Sequence, residues 1–527
     1  MSQGQTAPVL INGAWRPSSG RKQFCSSNPA TLQPLQPAYP VSNWSDCDQA
    51  LDAAADAAEK LRTVSRDRLG EFLEMLAGLI ESHSRELVQL AHLETALPIA
   101  PRLADVELPR TTGQLRQAAA AARSGSWALP TIDSKANIRS CYMGFGPVAV
   151  FGPNNFPFAF GSVSGNDFAA AIATGNPVIG KANTSHPGTT RKLADLAFQA
   201  IERCGLPAAT VQLLYRLEHE DGLRMVSDSR LAAAAYTGSR SAGLKLKSAA
   251  DAAGKPIYLE LSSVNPVVVL PGALEERCDA VADEFFSSVL MGTGQFCTNP
   301  GLVIALAGQS TQRFIQAVTD KFKQAASGTL LSTGVQSSLT AAIDTLNRAG
   351  AEILCGGQSV QGRCSVGNTL MRVTGQRFLD QPEAFQTEAF GNAALVVVAD
   401  GVPQAELVLK ALEGNLTGCI YSALSGADDE AYCCLAPALT QRVGRLLNDK
   451  MPTGVAVSSA MQHGGPYPAT GHPGFTAVGI PASLLRFSKL TCFDNVRPDR
   501  LPDLLQDKNP TGKTWRLIDL NWTTADL

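Results

Sequence analysis

Residues 148–181, VAVFGPNNFPFAFGSVSGNDFAAAIATGNPVIGK, decide the fold. Val148-Ala149-Val150-Phe151 is a short, wholly apolar run, the signature of a strand buried on both faces. Gly152-Pro153-Asn154-Asn155-Phe156-Pro157 stops it, since glycine, proline and asparagine are the residues of turns. A helix of small residues follows at about 163–174, and a second apolar strand at 177–181. The same alternation runs on through a helix at 190–203 ending at Gly205, a strand at 211–215 and a short helix. A strand at 231–237, a helix at 241–253 and a strand at 257–261 complete the series. Short apolar strands alternating with helices predict a parallel, doubly wound α/β sheet of Rossmann type, with ligand at the carboxyl ends of the strands.

Outward from this core, residues 264–455 repeat the alternation. Strands are expected at 267–270, 302–307, 394–399 and 419–423, and helices at 282–292, 311–326 and 428–440. Residues 8–45 read as short strands and turns, with Asn12-Gly13 as a hairpin signal. From Ser45, the expected N-cap, to about Arg123 the spacing is helical, interrupted by Pro98, Pro101 and Pro109. Residues 127–147 and the late stretch RFSKLTCFDNVRP read as exposed arm strands suited to subunit contact. The Gly- and Pro-rich HGGPYPATGHPGF reads as a loop beside a site. The resulting division assigns 1–130 and 148–262, with a return segment 456–483, to a cofactor-binding domain. It assigns 263–455 to a catalytic domain, and 131–147 with 484–498 to an oligomerisation arm.

The totals narrow the function classes. At 527 residues the chain is too long for one ordinary core, and 45% hydrophobic with 17% charged residues is a globular composition. A formal charge of −3 gives no electrostatic reason to expect nucleic acid or an anionic membrane as partner. The opening MSQGQTAPVLINGAWRP lacks a basic, then apolar, leader, and no run approaches the roughly 20 apolar residues of a span. Twelve scattered cysteines without a CxxC pair suggest neither a zinc site nor a disulfide framework, so a reduced, cytoplasmic protein is expected. The six histidines match no metal-ligand spacing, and no metal is expected.

Several residues carry chemistry by type and place. Cys297 follows Gly292-Thr293-Gly294-Gln295-Phe296 and precedes Asn299-Pro300-Gly301, a loop edge where free backbone N–H groups can stabilise a thiolate or an oxyanion. Glu260 lies in the apolar strand Tyr258-Leu259-Glu260-Leu261; a carboxylate there must be paired, neutral or facing a cavity, which suits a general base. Asn155 offers a side-chain amide from a rigid turn, Lys181 ends a strand, and Gly238-Ser239-Arg240-Ser241-Ala242-Gly243 opens a helix where a phosphate can sit. Taken singly, each has a structural alternative: an inert buried thiol, a salt-bridged glutamate, a turn asparagine, a solvated lysine, an ordinary strand-to-helix turn.

Taken together, PNNFP, GKANTS, YTGSRSAG, LELSS, GQFC and TEAFG fall in an order that resembles the aldehyde dehydrogenase superfamily across nearly the whole chain. The resemblance implies Cys297 as nucleophile, Glu260 as the base that activates water, and Asn155 with the Cys297 N–H as oxyanion hole. It implies Lys181 and Glu388 on cofactor ribose hydroxyls, Phe390 beside the nicotinamide, and Gly238, Ser239 and Gly243 beside the pyrophosphate. Ser262-Ser263-Val264 replaces the family's usual Gly-Gly-Lys. This departure and the tail MQHGGPYPAT resemble the 2,5-dioxovalerate (α-ketoglutarate semialdehyde) dehydrogenase branch, which implies oxidation of 2,5-dioxopentanoate to 2-oxoglutarate. Thr184 stands where many NAD-preferring relatives carry a glutamate. With Ser185, and with Arg216 and His219 at the next strand end, it favours NADP, NAD being accepted. A homodimer or homotetramer is implied. The rivals are a long-chain fatty aldehyde dehydrogenase and a cofactor-independent thiol esterase.

Overall fold

The computed structural model describes residues 6–527; the first five, with which the expected cofactor-domain segment and leaderless start begin, lie outside the described residues. Five buried strands, Val148–Phe151, Val178–Lys181, Val211–Leu214, Ala233–Thr237 and Ile257–Glu260, form a parallel sheet. In space the 148–151 strand lies between 178–181 and 233–237, so strand order reverses at its carboxyl end. That reversal opens a crevice, because the connections on either side leave toward opposite faces. The antiparallel hairpin Val9–Ile11 and Ala14–Arg16 extends the far edge, turning on Asn12 and Gly13 with φ of 51° and 72°.

A second seven-stranded sheet runs, in spatial order, Glu352–Cys355, Thr369–Thr374, Ala393–Ala399, Leu302–Leu306, Val267–Val269, Asn415–Tyr421 and Val443–Asn448. All neighbours are parallel except the first pair. A third, five-stranded sheet pairs Ser488–Asp494 with Ile138–Gly144 over seven rungs and continues through Thr131–Asp133, Arg516–Ile518 and Asn521–Thr523. Among the described residues no helix is long and apolar enough to cross a membrane.

Several expectations are corrected in detail. The first long helix is Trp44–Leu61, capped by Asn43 rather than Ser45: the Asn43 side chain accepts from the Asp46 N–H and Asp46 answers at the Asn43 N–H. Pro109 does not separate helices but sits in the first turn of Leu108–Ser124, where its missing N–H costs nothing. The helix expected at 163–174 is Asn166–Ala173, and that at 190–203 begins earlier, at Pro187. The 282–292 helix is the second half of Pro271–Leu290, bent at Arg277. Thr333–Ala349, Thr369–Thr374, Val402–Ala411 and the two C-terminal strands form elements that the spacing did not announce.

Candidate active site

The loop bearing Cys297 is shaped by three successive left-handed residues, Gly292, Thr293 and Gly294, with φ of 56°, 59° and 69°. Gly294 cannot be replaced without movement, since a Cβ would lie 2.0 Å from the Gly391 carbonyl oxygen. Gln295 then ties the loop down: its Oε1 accepts from the Leu331 N–H at 2.8 Å and its amide donates to Gly292 O at 3.1 Å. Asn265 donates to the carbonyls of Cys297 and Asn299 at 2.9 and 2.8 Å. Asn415 Oδ1 in turn accepts from the Val264 and Asn265 N–H groups. The Ser262-Ser263-Val264 departure thus leads, with Asn265, into a buried polar network that fixes the thiol's backbone.

Asn155 reaches the same loop, donating from Nδ2 to Gln295 O at 3.0 Å. Arg102 fixes its backbone by donating to Asn155 O at 2.8 Å. The Cys297 N–H takes no protein acceptor among the described residues. One Asn155 N–H and the Cys297 N–H therefore remain to meet an oxygen that gains charge beside Sγ.

Glu260 ends its strand at the crevice, with its side chain only 2% exposed, and its Oε2 is buried without a partner. Its Oε1 lies 2.9 Å from Nε2 of His463, and the same Nε2 lies 3.4 Å from Cys297 Sγ. Donor atoms of Glu260, Cys297 and His463 all fall within 4.8 Å of one another, a convergence that the dispersed sequence positions concealed. His463 is held from both sides: its N–H donates to Thr476 Oγ1 at 3.1 Å and its carbonyl accepts from the Ala477 N–H at 2.8 Å. The loop around it is anchored to the strand edge by an isolated bridge between Glu260 and Thr470 and by Leu261 N–H to Ala469 O at 2.8 Å.

Electrostatically the thiol needs this neighbour. Burial first, then the Glu260 carboxylate, push the Cys297 thiol well above its ordinary range, while the Arg110 charge pulls it back. A thiol so held is protonated at neutral pH, and its proton must pass to an adjacent base before sulfur can attack. The imidazole nitrogen, 3.4 Å from the sulfur and 2.9 Å from the carboxylate, is placed to take it. Sequence reading noted the unusual MQHGGPYPAT segment but assigned His463 no role; its only signal was a histidine preceding Gly464-Gly465, which lets the loop approach the site closely.

Beside this trio a cleft of about 580 Å³ opens at the carboxyl ends of the parallel strands. Lys181, Thr184, Ser185, Gly238, Ser239, Glu388 and Phe390 line it together with Asn155, Glu260 and Cys297. Burial and the nearby Arg216 charge lower the Lys181 ammonium to about 8. Burial raises Glu388 to about 6 against hydrogen bonds from Ser262 and the Ser263 N–H. The helix Arg240–Ala252 begins at this cleft without a side-chain cap, so its first N–H groups are open to an anion. At Gly238 a Cβ would meet the Tyr236 hydroxyl at 2.7 Å. These groups fit a dinucleotide: a cation and a carboxylate for hydroxyls, a helix start for pyrophosphate, an aromatic ring near the thiol.

Two expected cofactor residues stand apart. Gly243 does not line the cleft; it packs against the sheet, where a Cβ would lie 2.4 Å from the Leu261 side chain. Arg216 is exposed on its strand outside the lining and acts on the cleft through its charge on Lys181. His219 is likewise exposed, at the start of the helix His219–Ser227.

The model of the aldehyde dehydrogenase family matches residues 15–428. The chain is 38% identical over 519 residues to alpha-ketoglutaric semialdehyde dehydrogenase 2 of Azospirillum brasilense, covering 96% of this chain and 97% of that protein. It is 34% identical over 522 residues to alpha-ketoglutaric semialdehyde dehydrogenase of Acinetobacter baylyi, covering 97% of each. Its fold is similar to that of aldehyde dehydrogenase C from Pseudomonas syringae, crystallised with NAD+ and octanal. The TM-score is 0.79 at 18% identity, over 94% of this chain and 98% of that one.

Proposed function

The chain belongs to the aldehyde dehydrogenase family, and from that premise we propose that it oxidises 2,5-dioxopentanoate to 2-oxoglutarate through a thioester on Cys297. NADP is the preferred cofactor in this reading, with NAD also accepted. The observation that carries it is the approach of Cys297, His463 and Glu260 to one another at the inner end of the cleft. The substrate follows from two relatives of 38% and 34% identity over nearly the full chain, both named for that semialdehyde.

In this mechanism His463 takes the Cys297 proton at Nε2, with Glu260 Oε1 stabilising the imidazolium, and the thiolate adds to the aldehyde carbon. The developing oxyanion is held by Asn155 Nδ2–H and the Cys297 N–H, donors worth about 3 kcal/mol each in such a site. A nicotinamide dinucleotide bound in the cleft supplies the hydride acceptor. Lys181 and Glu388 would hold its ribose hydroxyls and Gly238 and Ser239 its pyrophosphate, with Phe390 lining the same cleft. The acyl group then remains on Cys297 Sγ. Glu260 draws a proton from water, the hydroxide displaces sulfur, the proton held on His463 Nε2 returns to the thiolate, and Glu260 gives its own up to solvent.

The NADP preference is supported by the exposed Thr184 hydroxyl, a neutral group where a carboxylate would repel a phosphate, with Arg216 close enough to act on Lys181. We assign the 148–262 unit, with 6–130 and 456–483, to cofactor binding and 263–455 to the thiol. The sheet to which 131–147 and 484–498 contribute three of five strands serves a homodimer or homotetramer. Its edge strand Ser488–Asp494 leaves Leu490 59% exposed, a surface that a second copy can cover. The free thiols of all twelve cysteines support a cytoplasmic setting.

The test is a comparison of kcat/KM for 2,5-dioxopentanoate, succinic semialdehyde, glutaraldehyde and decanal with each cofactor. The dicarbonyl acid with NADP is expected to rank first. Decanal in first place would favour the long-chain reading, a strong NAD preference would remove the cofactor assignment, and hydrolysis without cofactor reduction would favour an esterase.

A further inference from the structure

Two arginines near the thiol do not line the dinucleotide cleft. Arg110 projects from the first turns of the helix Leu108–Ser124, with its guanidinium 5.9 and 5.2 Å from the rings of Phe156 and Phe160. Its Nε donates to Gln114 Oε1 at 3.0 Å and its Nη1 to Val455 O at 2.7 Å, while Nη2 is buried without an acceptor. Arg445 rises from the strand Val443–Asn448. Its Nη2 donates to Pro452 O and Gly454 O, its Nη1 meets only the Met461 thioether sulfur at 3.7 Å, and its Nε is buried and unpaired. Neither guanidinium has a carboxylate partner in the chain: the ion pairs among the described residues include Arg102 with Glu107 but neither of these two.

That arrangement is costly for a structural purpose alone. A guanidinium withdrawn from water among aromatic rings, with an N–H that meets nothing, forfeits the strongest hydrogen bonds it can make. A bound carboxylate would restore them, since two oxygens match the arginine fork. Both charges also act on Cys297: Arg110 lowers its thiol, and the sulfur in turn acts on Arg110 and Arg445. In geometry, Arg110 lies over Phe160, whose ring is 5.9 Å from that of His463 beside Cys297 Sγ, so an aldehyde seated on the sulfur has this cation near its far end. The aromatic rings Phe156, Phe160 and Phe296 pack together beside it.

We propose that Arg110, with Arg445 behind it, is the anchor for the substrate's carboxylate, and that the enzyme selects short aldehydes carrying an acid at the opposite end. The inference rests on the aldehyde dehydrogenase reading above and adds the residues that choose among aldehydes. Arg102 is excluded from this role, because its guanidinium is committed to Glu107 and Asn155 O. The unfilled donor of Arg110 gives it the leading part.

The test compares 2,5-dioxopentanoate with pentanal, a neutral aldehyde of the same chain length, on the full-length enzyme and on Arg110→Met. For the acid, kcat/KM is expected to fall about 100-fold, carried mainly by KM, as for loss of one partner of a buried charge pair. Loss of the Arg110 charge beside the thiol slows both aldehydes alike, so for pentanal the fall should be at least about tenfold smaller than for the acid, and the ratio of the two is what reports the anchor. Arg110→Lys should recover part of the loss for the acid only. An equal fall for both aldehydes would overturn the anchor and leave Arg110 as a clamp on the 452–461 loop. An unchanged value for the acid would overturn it as well. Should Arg110→Met not fold, glutarate and pentanoate are compared as inhibitors of pentanal oxidation by the unaltered enzyme. Competitive inhibition by glutarate at concentrations where pentanoate is inert supports the anchor, and equal potency refutes it. An unaltered enzyme that reduces cofactor with neither aldehyde would instead remove the dehydrogenase reading itself.

Discussion

Replacing His463 by Phe tests the proton path through the site. The imidazole supplies the sole hydrogen-bond partner of Glu260 Oε1 among the described residues, at 2.9 Å, and Oε2 already has none. The substitution leaves a carboxylate 2% exposed with neither oxygen satisfied, and takes away the ring nitrogen that lies 3.4 Å from Cys297 Sγ. Leaving one member of a buried hydrogen-bonded pair alone costs on the order of 3 kcal/mol. That charge lies against a thiol already pushed up by burial and by Glu260. If the penalty appears as further suppression of the thiolate, it corresponds to a roughly 100-fold lower thiolate fraction at neutral pH. The assay is alkylation of Cys297 by iodoacetamide across pH 6 to 10 (about the titration range of a perturbed thiol), followed by mass spectrometry of its peptide. The variant should react about 100 times more slowly at neutral pH and approach the unaltered enzyme only at the alkaline end. The kcat for aldehyde oxidation should fall in parallel. Equal alkylation rates at all pH values, with kcat unchanged, would refute the reasoning and reduce His463 to a packing residue.

Asn155→Ala should lower kcat by 100-fold or more, about 3 kcal/mol, with cofactor affinity nearly unchanged, as measured by steady-state kinetics and fluorescence titration. Lys181, lowered to about 8, loses its charge as pH rises through that value; cofactor affinity should therefore weaken on the alkaline side, and Lys181→Gln should flatten the dependence in the same titration. Gly294→Ala forces a Cβ against Gly391 O at a left-handed backbone, so a lowered Tm, together with slow alkylation of Cys297, is expected in thermal melts.

How much of this was legible beforehand depends on whether a feature is local. The parallel sheet was legible because strands buried on both faces must be short and apolar, and Val148–Phe151 and Val178–Lys181 are both. Asn155, Lys181, Glu260, Cys297 and Glu388 were legible because each stands at a strand end or turn inside a motif of adjacent residues, and one cleft now gathers them. The strand Thr369–Thr374 was harder to see: it carries Thr369 and Arg372 among its apolar residues, and its edge neighbour Glu352–Cys355 is half exposed. Asn43 outcompeted Ser45 as a cap because the reciprocal bond with Asp46 depends on a spacing of three that several polar residues nearby imitate. His463 and Arg110 could not be read at all from their neighbours. Their significance lies in what faces them, the 2.9 and 3.4 Å approaches of one ring nitrogen and the empty N–H of one guanidinium.

The most direct measurement uses Glu260→Gln, in which the group that draws the proton from water is disabled and the thiol is intact. Mixed rapidly with 2,5-dioxopentanoate and NADP, then quenched in acid, the variant should yield one reduced cofactor per subunit. Mass spectrometry should find a 2-oxoglutaryl group on the Cys297 peptide, with slow release thereafter. Reduced cofactor without an acylated Cys297, or the acyl group on another of the twelve thiols, would contradict the account.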